Sequence, residues 1–506
     1  MVASYPADLG RLVMMDESFG AVLKRHAEET PHADAVRYDE SSLTWRELDA
    51  RSDDRAAQLL AAGVVRDDMV AIALANGTTH HEWTFGAWKA GATPCILPYR
   101  LPAHELAEIV ALAAPRVVVG SPGLPQMVAK HIAPDSALPS GNESVLRAPA
   151  SAWKAVASGG STGRPKLIVD HGPASLTANI DQLIEFVCMP RSGTILNPGP
   201  LYHNAPFLFS NLALVAGSRV VGMARFDPEK WLQLVERERV EWCFLVPTMM
   251  HRIWSLAQEI REAYDLSSLK CIVHMAAACP VWLKHAWIDW LGPERILEGY
   301  AGTETPGTMI TGTEWLRKPG SVGRVAPDTI TIRGADGEPC APCEIGEIFF
   351  PAASADRFHY IGAAPRLDDV GRMSLGDMGY VDVDDYLFLA DRRTDMIIRG
   401  GANIYPAEVE AAIDEHPAVA SAVVIGLPCE EFGHRVHAIL EVQPGAALEI
   451  ANLSAFIAER LAPYKRPESY EVVETPLRDD AGKVRRGALR DQRLAWIAEG
   501  TPLQEW

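Results

Sequence analysis

Nine consecutive residues, Ser158 to Lys166 (SGGSTGRPK), gather small residues, hydroxyls and two cationic side chains in one run. Glycine lets backbone N–H groups approach an anion closely, Ser161 and Thr162 carry donor hydroxyls, and Arg164 and Lys166 bring positive charge. Such a loop can wrap a polyphosphate. It is not a Walker A loop, which needs GxxxxGK followed by Ser or Thr, because Pro165 precedes Lys166 and Leu167 and Ile168 follow it. The same residue types also build ordinary surface turns, so the stretch alone favours phosphate binding only modestly.

The rest of the chain must position that loop. A length of 506 residues exceeds one compact core and predicts two or three domains. The apolar fraction of 48% is that of a globular protein, and no repeat of fixed period is present. With 47 Lys plus Arg against 66 Asp plus Glu, the net charge of -19 gives poor support to a nucleic-acid surface, so anionic ligands must be held by local sites. No apolar run reaches the roughly 18 residues that span a bilayer. The start MVASYPADLG also lacks a basic segment and an apolar h-region, so a cytoplasmic protein without a transmembrane segment is expected. The eight cysteines are sparse and most sit in apolar contexts such as EWCFLV around Cys243, so reduced, buried thiols are expected. The one CxxC, Cys340 to Cys343 in GEPCAPCEIGEI, has no second pair at zinc-ribbon spacing and reads as a hairpin loop before the strand EIGEIFF. His80 and His81 read as a helix-start feature, since neighbours on a helix do not face one another.

From Thr44 to Val119 helix and strand patterns alternate: LTWRELDARSDDRAAQLLAAG, MVAIALANG, HHEWTFGAWKAGATPCILPYR, ELAEIVALAAP and RVVVG. This rhythm predicts α/β architecture, a parallel sheet layered by helices. It returns in PASLTANIDQLIEFV (helix), TILNPGPLYHNA (strand to loop), WLQLVERERVEWCFLVPTMM (helix, strand, Pro-Thr turn), KCIVHMAAACP and RILEGYAGTETPG. Several of the polar loops fall at strand carboxyl ends, where open α/β sheets bind ligands. After about residue 390 a smaller α+β module follows: PAEVEAAIDEHP, ASAVVIGLP, VHAILEV and LSAFIAERLAPY. Pro406 suits the first turn of a helix. Leu453, Ile457 and Leu461, with Phe456 beside them, give a second helix an apolar stripe. The boundary is placed in DRRTD, giving domains 1–391 and 392–506 with a hinge near Thr394.

Five further stretches join the loop: PLYHNAP (200–206), MAAACP (275–280), GYAGTE (299–304), GDMGYVDVDDYLFLADRRTD (376–395) and DDAGKVRR (479–486). Together, in this order over nearly the whole chain, they resemble the adenylate-forming superfamily of acyl- and aryl-CoA ligases, carrier-loading adenylation domains and luciferases. The wording GGSTGRPKLI, PLYHNAP and RGGANIYPAEVE is most similar to fatty-acyl and bile-acid-type CoA ligases. The resemblance implies a large N-terminal AMP-binding domain with layered sheets and helices, and a small mobile C-terminal domain that rotates between two half-reactions. In the first, a carboxylate attacks the α-phosphate of MgATP to give an acyl adenylate and pyrophosphate. In the second, the thiol of CoA displaces AMP.

The resemblance also distributes roles. Ser161, Thr162, Gly163 and Lys166 would cradle the β- and γ-phosphates. Thr303 and Glu304 would meet the α-phosphate, with Glu304 on the Mg2+ ion. Tyr300 would stack on adenine, along which the backbone of Ala276, Ala277 and Ala278 would pack. Asp377 would accept from both ribose hydroxyls and Arg392 would reach the ribose. Lys483 would neutralise the pentavalent phosphorus and bridge the carboxylate to the ribose oxygen, a compact charge that domain motion can deliver and withdraw. His203 would gate the acid without acting as a base, because an ionised carboxylate has no proton to lose. Gly400 and Gly401 would line the thiol path and Lys465 would hold a CoA phosphate. Phe207, Met275 and Ala301 would contribute to an apolar acid pocket.

Three departures mark this chain: Gly159 and Leu167 in the phosphate loop, Ala301 after the motif tyrosine, and Thr394 at the hinge. HNAPFLFS carries no aspartate to pair a substrate ammonium, which disfavours a free α-amino acid. The expected partners are a carboxylic acid, ATP and CoA. A carrier protein, an amine or nitrite-dependent diazotase chemistry stay open as alternatives for the acceptor or acid, and a homodimer stays open as the assembly.

Overall fold

The computed structural model describes residues 16–120, 130–136, 145–159, 165–302, 304–305, 307–351, 357–479 and 482–499. Ser161, Thr162, Gly163 and Thr303 lie outside the described residues. A large N-terminal domain and a small C-terminal domain make up an α/β protein.

Two big sheets form the large domain. The first has eight strands, and its six central members, from Asp34–Tyr38 to Ile296–Tyr300, run parallel. The edges Ser41–Thr44 and Thr308–Thr311 are antiparallel. The second has seven strands, parallel from Lys130–Ile132 through to Lys154–Gly159, with Pro165–Asp170 and Phe358–Ile361 added antiparallel. The βα rhythm therefore gives parallel sheets as expected, because each helical crossover returns the chain in the same direction. Thr44 caps the helix Trp45–Ala61 through a full capping box with Glu47. His80 and His81 fall in the first turn of the helix Thr78–Lys89, buried, and burial lowers their pKa values to about 3 and about 4.

Local boundaries differ from the sequence reading in three places. The helix expected over PASLTANIDQLIEFV begins only at Ala178, capped by Thr177, because Ser175–Leu176 pairs as a short strand with Glu17–Ser18. Pro247-Thr248 opens a helix, Pro247–Trp254, with proline at the helix start, where its missing N–H costs nothing. Described strands between residues 321 and 392, apart from Phe358–Ile361, build a six-stranded antiparallel sheet whose short strands carry no strong periodicity. Cys340 and Cys343 sit in the connection between its antiparallel strands Thr331–Arg333 and Gly346–Phe350.

In the small domain, Val419–Cys429 and Gly433–Val442 pair antiparallel as expected, and Ser469–Val473 joins parallel. The helix Pro406–Asp414 starts on proline and Ile450–Ala458 buries Leu453 and Ile457. The terminal basic stretch leads into a packed helix, Arg486–Ala498, whose Arg493 is buried against Glu471 at 2.7 Å.

One buried ion pair stands directly beside the GYAGTE segment. Lys284, fully buried on the helix Val281–Leu291, bonds Glu298 on the strand Ile296–Tyr300. Lys284→Ala would strand that carboxylate in the interior, so the large domain is expected to lose about 3–5 kcal/mol of stability. Chemical denaturation followed by tryptophan fluorescence reads this, and a loss below about 1 kcal/mol would contradict the assignment of a dry, interdependent pair.

Candidate active site

A cleft of about 3400 Å³ runs between the two domains, well above the roughly 1,000 Å³ of a pocket for one small ligand. Strand ends and turns bring the motif residues to its walls. Lys154–Gly159 and Pro165–Asp170 form the two stems of the phosphate-loop segment, paired up to Gly159 and Pro165. Lys166 thus projects from a strand. Leu167, the departure beside it, is fully buried between Ala157 and Ile361 in the sheet, so it serves the core.

Lys166 Nζ stands 3.6 Å from Glu304 Oε1, and the Tyr360 hydroxyl donates to the same oxygen at 2.7 Å. Burial lowers the Lys166 pKa, opposed by the charge of Glu304. Across the cleft the Tyr300 hydroxyl donates to Asp377 Oδ2 at 2.9 Å, and Arg392 Nε lies 3.5 Å from Asp377 Oδ1. Asp377 and Arg392 face each other because their strands, Met373–Val381 and Tyr386–Arg392, pair in that register. Ala276, Ala277 and Ala278 lie exposed along the cleft beyond the strand Cys271–His274, where Ala276 takes φ +78° to turn the chain.

The small domain contributes Lys483. Its loop is pinned by reciprocal bonds, Asp479 N–H to the Lys483 carbonyl at 3.0 Å and Lys483 N–H to Asp479 Oδ1 at 2.9 Å. The Lys483 side chain is exposed within the cleft. Desolvation by the walls lowers its pKa, opposed by the charges of Asp479 and Glu304 and aided by that of Arg392. Gly482 lies so close to the large domain that a Cβ there would come 2.7 Å from Thr248 Oγ1. His203 Nε2 is 3.8 Å from Asp479 Oδ2, beyond a hydrogen bond, and has no hydrogen-bond partner among the described residues.

Other expected residues sit elsewhere. Phe207 is fully buried and packs on Trp88 and Trp153, turned from the cleft, while its neighbours Leu208 and Phe209 line the wall. The helix Asn204–Val215 imposes this, because successive side chains point about a hundred degrees apart. Met275 and Ala301 do line the cleft. Gly400 and Gly401, at φ +55° and +83°, make the turn between Ile397–Arg399 and Ala402–Ile404 and are outside its lining. Lys465 lines the cleft with its ammonium on Glu408 at 2.6 Å. Thr394 is exposed, its hydroxyl on Asp395 at 3.3 Å.

Two wall residues escaped the sequence reading. Tyr360 lay in FHYI, where alternation marks only a strand. Lys154 is almost wholly buried, bonded to Asn204 Oδ1 at 2.6 Å and 3.5 Å from Asp170, with Asn204 next to His203 in the chain. A lysine before a glycine-rich loop gave no signal of that burial.

Among the described residues no group of three or more His, Cys, Asp or Glu side chains could hold a metal ion. Glu304 nonetheless offers a hard, largely buried carboxylate beside Lys166. That donor fits Mg2+, which usually takes one or two carboxylates and fills its shell with phosphate oxygens and water.

The chain matches the AMP-binding enzyme family over residues 23–354 and the AMP-binding enzyme C-terminal domain over residues 408–483. It belongs to the AMP-binding, adenylate-forming enzymes. It is 32% identical to a feruloyl-CoA synthase from Amycolatopsis sp., covering 94% of this chain and 99% of the relative. It is 28% identical to a long-chain-fatty-acid–CoA ligase from Mycobacterium tuberculosis, covering 95% and 99%. The solved o-succinylbenzoate CoA synthetase of Bacillus subtilis, in complex with its acyl-adenylate intermediate, superposes with a TM-score of 0.80 at 25% identity over 94% of this chain and 99% of that one.

Burial and the charge of Lys483 lower the His203 pKa to about 3. The ring is therefore expected to stay neutral to below pH 5, without an inflection near its ordinary 6.5. Since the folded value is depressed, stability from this group is full above pH 6.5 and declines as pH falls, when the unfolded chain binds the proton first. Nitrogen chemical shifts of the His203 ring across pH 5–8 check this, and a titration near 6.5 would contradict it.

Proposed function

We propose that the protein is an ATP-dependent, AMP-forming acid–CoA ligase for an apolar carboxylic acid, with the site roles set by the motifs. The observation that carries this reading is the convergence of Lys166, Glu304, Asp377, Arg392, His203 and Lys483 on one cleft, from both domains. The acid's oxygen attacks the α-phosphorus of ATP, the bond to the β-phosphate breaks, and pyrophosphate leaves. A carboxylate oxygen is a poor leaving group and AMP a good one, so the acyl adenylate divides one hard substitution into two easier ones. The CoA sulfur then attacks the acyl carbon and AMP departs.

Each residue has a task in that sequence. Lys166 draws the β- and γ-phosphates, with Ser161, Thr162 and Gly163 completing the cradle. Glu304 would hold Mg2+, which when bound offsets phosphate charge, and Thr303 would meet the α-phosphate. Tyr300 and Ala276 to Ala278 enclose adenine. Asp377 exchanges the Tyr300 hydroxyl for those of ribose, beside Arg392. Lys483 stabilises the charge that builds on phosphorus. Neutral His203 borders the acid without repelling Lys483. Met275 and Ala301 border the acyl group, whereas Leu208 and Phe209 replace Phe207 as wall residues.

The hinge at Thr394 divides residues 1–391 from 392–506 and lets the small domain withdraw Lys483 and bring Gly400 and Gly401 to the thiol path. Lys465 must release Glu408 to hold a CoA phosphate. The feruloyl- and fatty-acyl-CoA relatives support an acid–CoA reaction. Among the described residues no helix is long and apolar enough to cross a membrane, and a cytoplasmic location, where ATP and CoA are drawn, belongs to the same proposal. A homodimer is proposed as the assembly to test by sedimentation.

A panel of aliphatic and aromatic acids assayed for pyrophosphate release, with and without CoA, tests the reading. Acid-dependent release with a CoA thioester is expected, and release without any thioester would sink the CoA assignment. Lys483→Ala should reduce adenylate formation by a factor of about a thousand or more, while thioester formation from supplied acyl adenylate is largely kept. Surviving adenylation would remove the role of Lys483.

A further inference from the structure

Tyr360 belongs to none of the six motifs, yet it touches both charges at the phosphate end of the cleft. It stands on the edge strand Phe358–Ile361, opposite Ile168 of the strand that carries Lys166. Lys166 and Ile168 share a face, so the register lays the tyrosine ring beside the lysine. Lys166 Nζ is 3.9 Å from the ring centroid, and the hydroxyl donates to Glu304 Oε1 at 2.7 Å. Phe358 braces the ring edge-on, with centroids 4.9 Å apart at 66°. The hydroxyl is the donor in this bond, because a carboxylate oxygen can only accept.

We propose that Tyr360 is a positioning residue for the metal-binding carboxylate, its hydroxyl fixing Glu304 by Oε1 so that Oε2 is presented to the divalent cation of the nucleotide. The proposal rests on the reading of Glu304 as that carboxylate. Both described contacts of Glu304, the Tyr360 hydroxyl and the Lys166 ammonium, are on Oε1. When Lys166 turns to the phosphates it leaves Glu304, and the tyrosine is then the partner that stays. A carboxylate held by one charge-assisted hydrogen bond loses less freedom on capturing a cation than one free to rotate.

Tyr360→Phe keeps the ring over Lys166 and removes only the hydroxyl. The measurement is Mn2+ binding to the full chain with α,β-methylene-ATP, which cannot be adenylated through, read from the electron paramagnetic resonance of free Mn2+. The half-saturating Mn2+ concentration should rise about tenfold, the worth of one hydrogen bond to a charged group. Metal-free binding of the analogue, measured by calorimetry, should stay as in the wild type. An unchanged Mn2+ curve overturns the proposal, and so does an equal weakening of metal-free nucleotide binding, which would place Tyr360 in nucleotide contact or in the fold. Glu304→Gln separates the two layers. If wild type binds Mn2+ no better than Glu304→Gln, the reading of Glu304 falls and the proposal with it. If Glu304→Gln weakens Mn2+ and Tyr360→Phe does not, only the tyrosine's role falls.

Discussion

Holding opposite charges close without letting them collapse is the constraint on which this site depends. Lys166 and Glu304 are 3.6 Å apart, where an effective dielectric near 20 gives a Coulomb attraction of about 5 kcal/mol before desolvation is counted. A direct, dry hydrogen-bonded pair would occupy both groups and leave none for a ligand. The edge strand prevents that closure by giving each charge a second partner, the face of Tyr360 for the ammonium and its hydroxyl for the carboxylate. The same arrangement recurs at Asp377, shared between Tyr300 and Arg392. Lys154, between Asn204 and Asp170, repeats it a third time.

These groups come from distant parts of the chain, and the sheets supply the rigidity. Parallel strands end together, so loops after Tyr300 and His274 open on one rim, while the antiparallel pair around Lys166 adds a stiff hairpin from a second sheet. Lys483 is the exception. It arrives on a loop closed by Asp479 and belongs to a domain with its own core around Leu440 and Leu453. The walls of the cleft therefore come from two sheets of the large domain, and its one lysine from the small domain's basic loop is carried on a separately packed body.

Much of this was legible before any coordinates. The helix over Trp45–Ala61 and the strand Met69–Ala73 follow from periodicity, and the motif residues Lys166, Glu304, Asp377 and Lys483 do meet in one cleft. What stayed hidden has physical reasons. Phe207 has the type of a pocket residue, but which side of a helix meets a cavity depends on the neighbouring sheet, so it lies among Trp88 and Trp153. The antiparallel sheet of residues 321–392 is built from short strands whose partners are set by long-range register. Tyr360 takes its importance from that register alone, opposite Ile168. Lys154 and Arg493 carry charge in the interior because partners distant in sequence neutralise it, which no local pattern reveals.

The contact of Gly482 with Thr248 carries one more consequence. A Cβ at that glycine would stand 2.7 Å from the threonine hydroxyl, and its φ of +73° also disfavours any side chain. The backbone at Gly482 thus abuts the side chains of Thr248 and Val246, a steric limit rather than a bond on how near the Lys483 loop can stand to that wall. Contact of this kind resists overshoot but exerts no pull on retreat. The loop meets the wall like a door against its frame, while the latch is a separate one, the exposed ion pair of Arg485 with Glu105 at 3.3 Å.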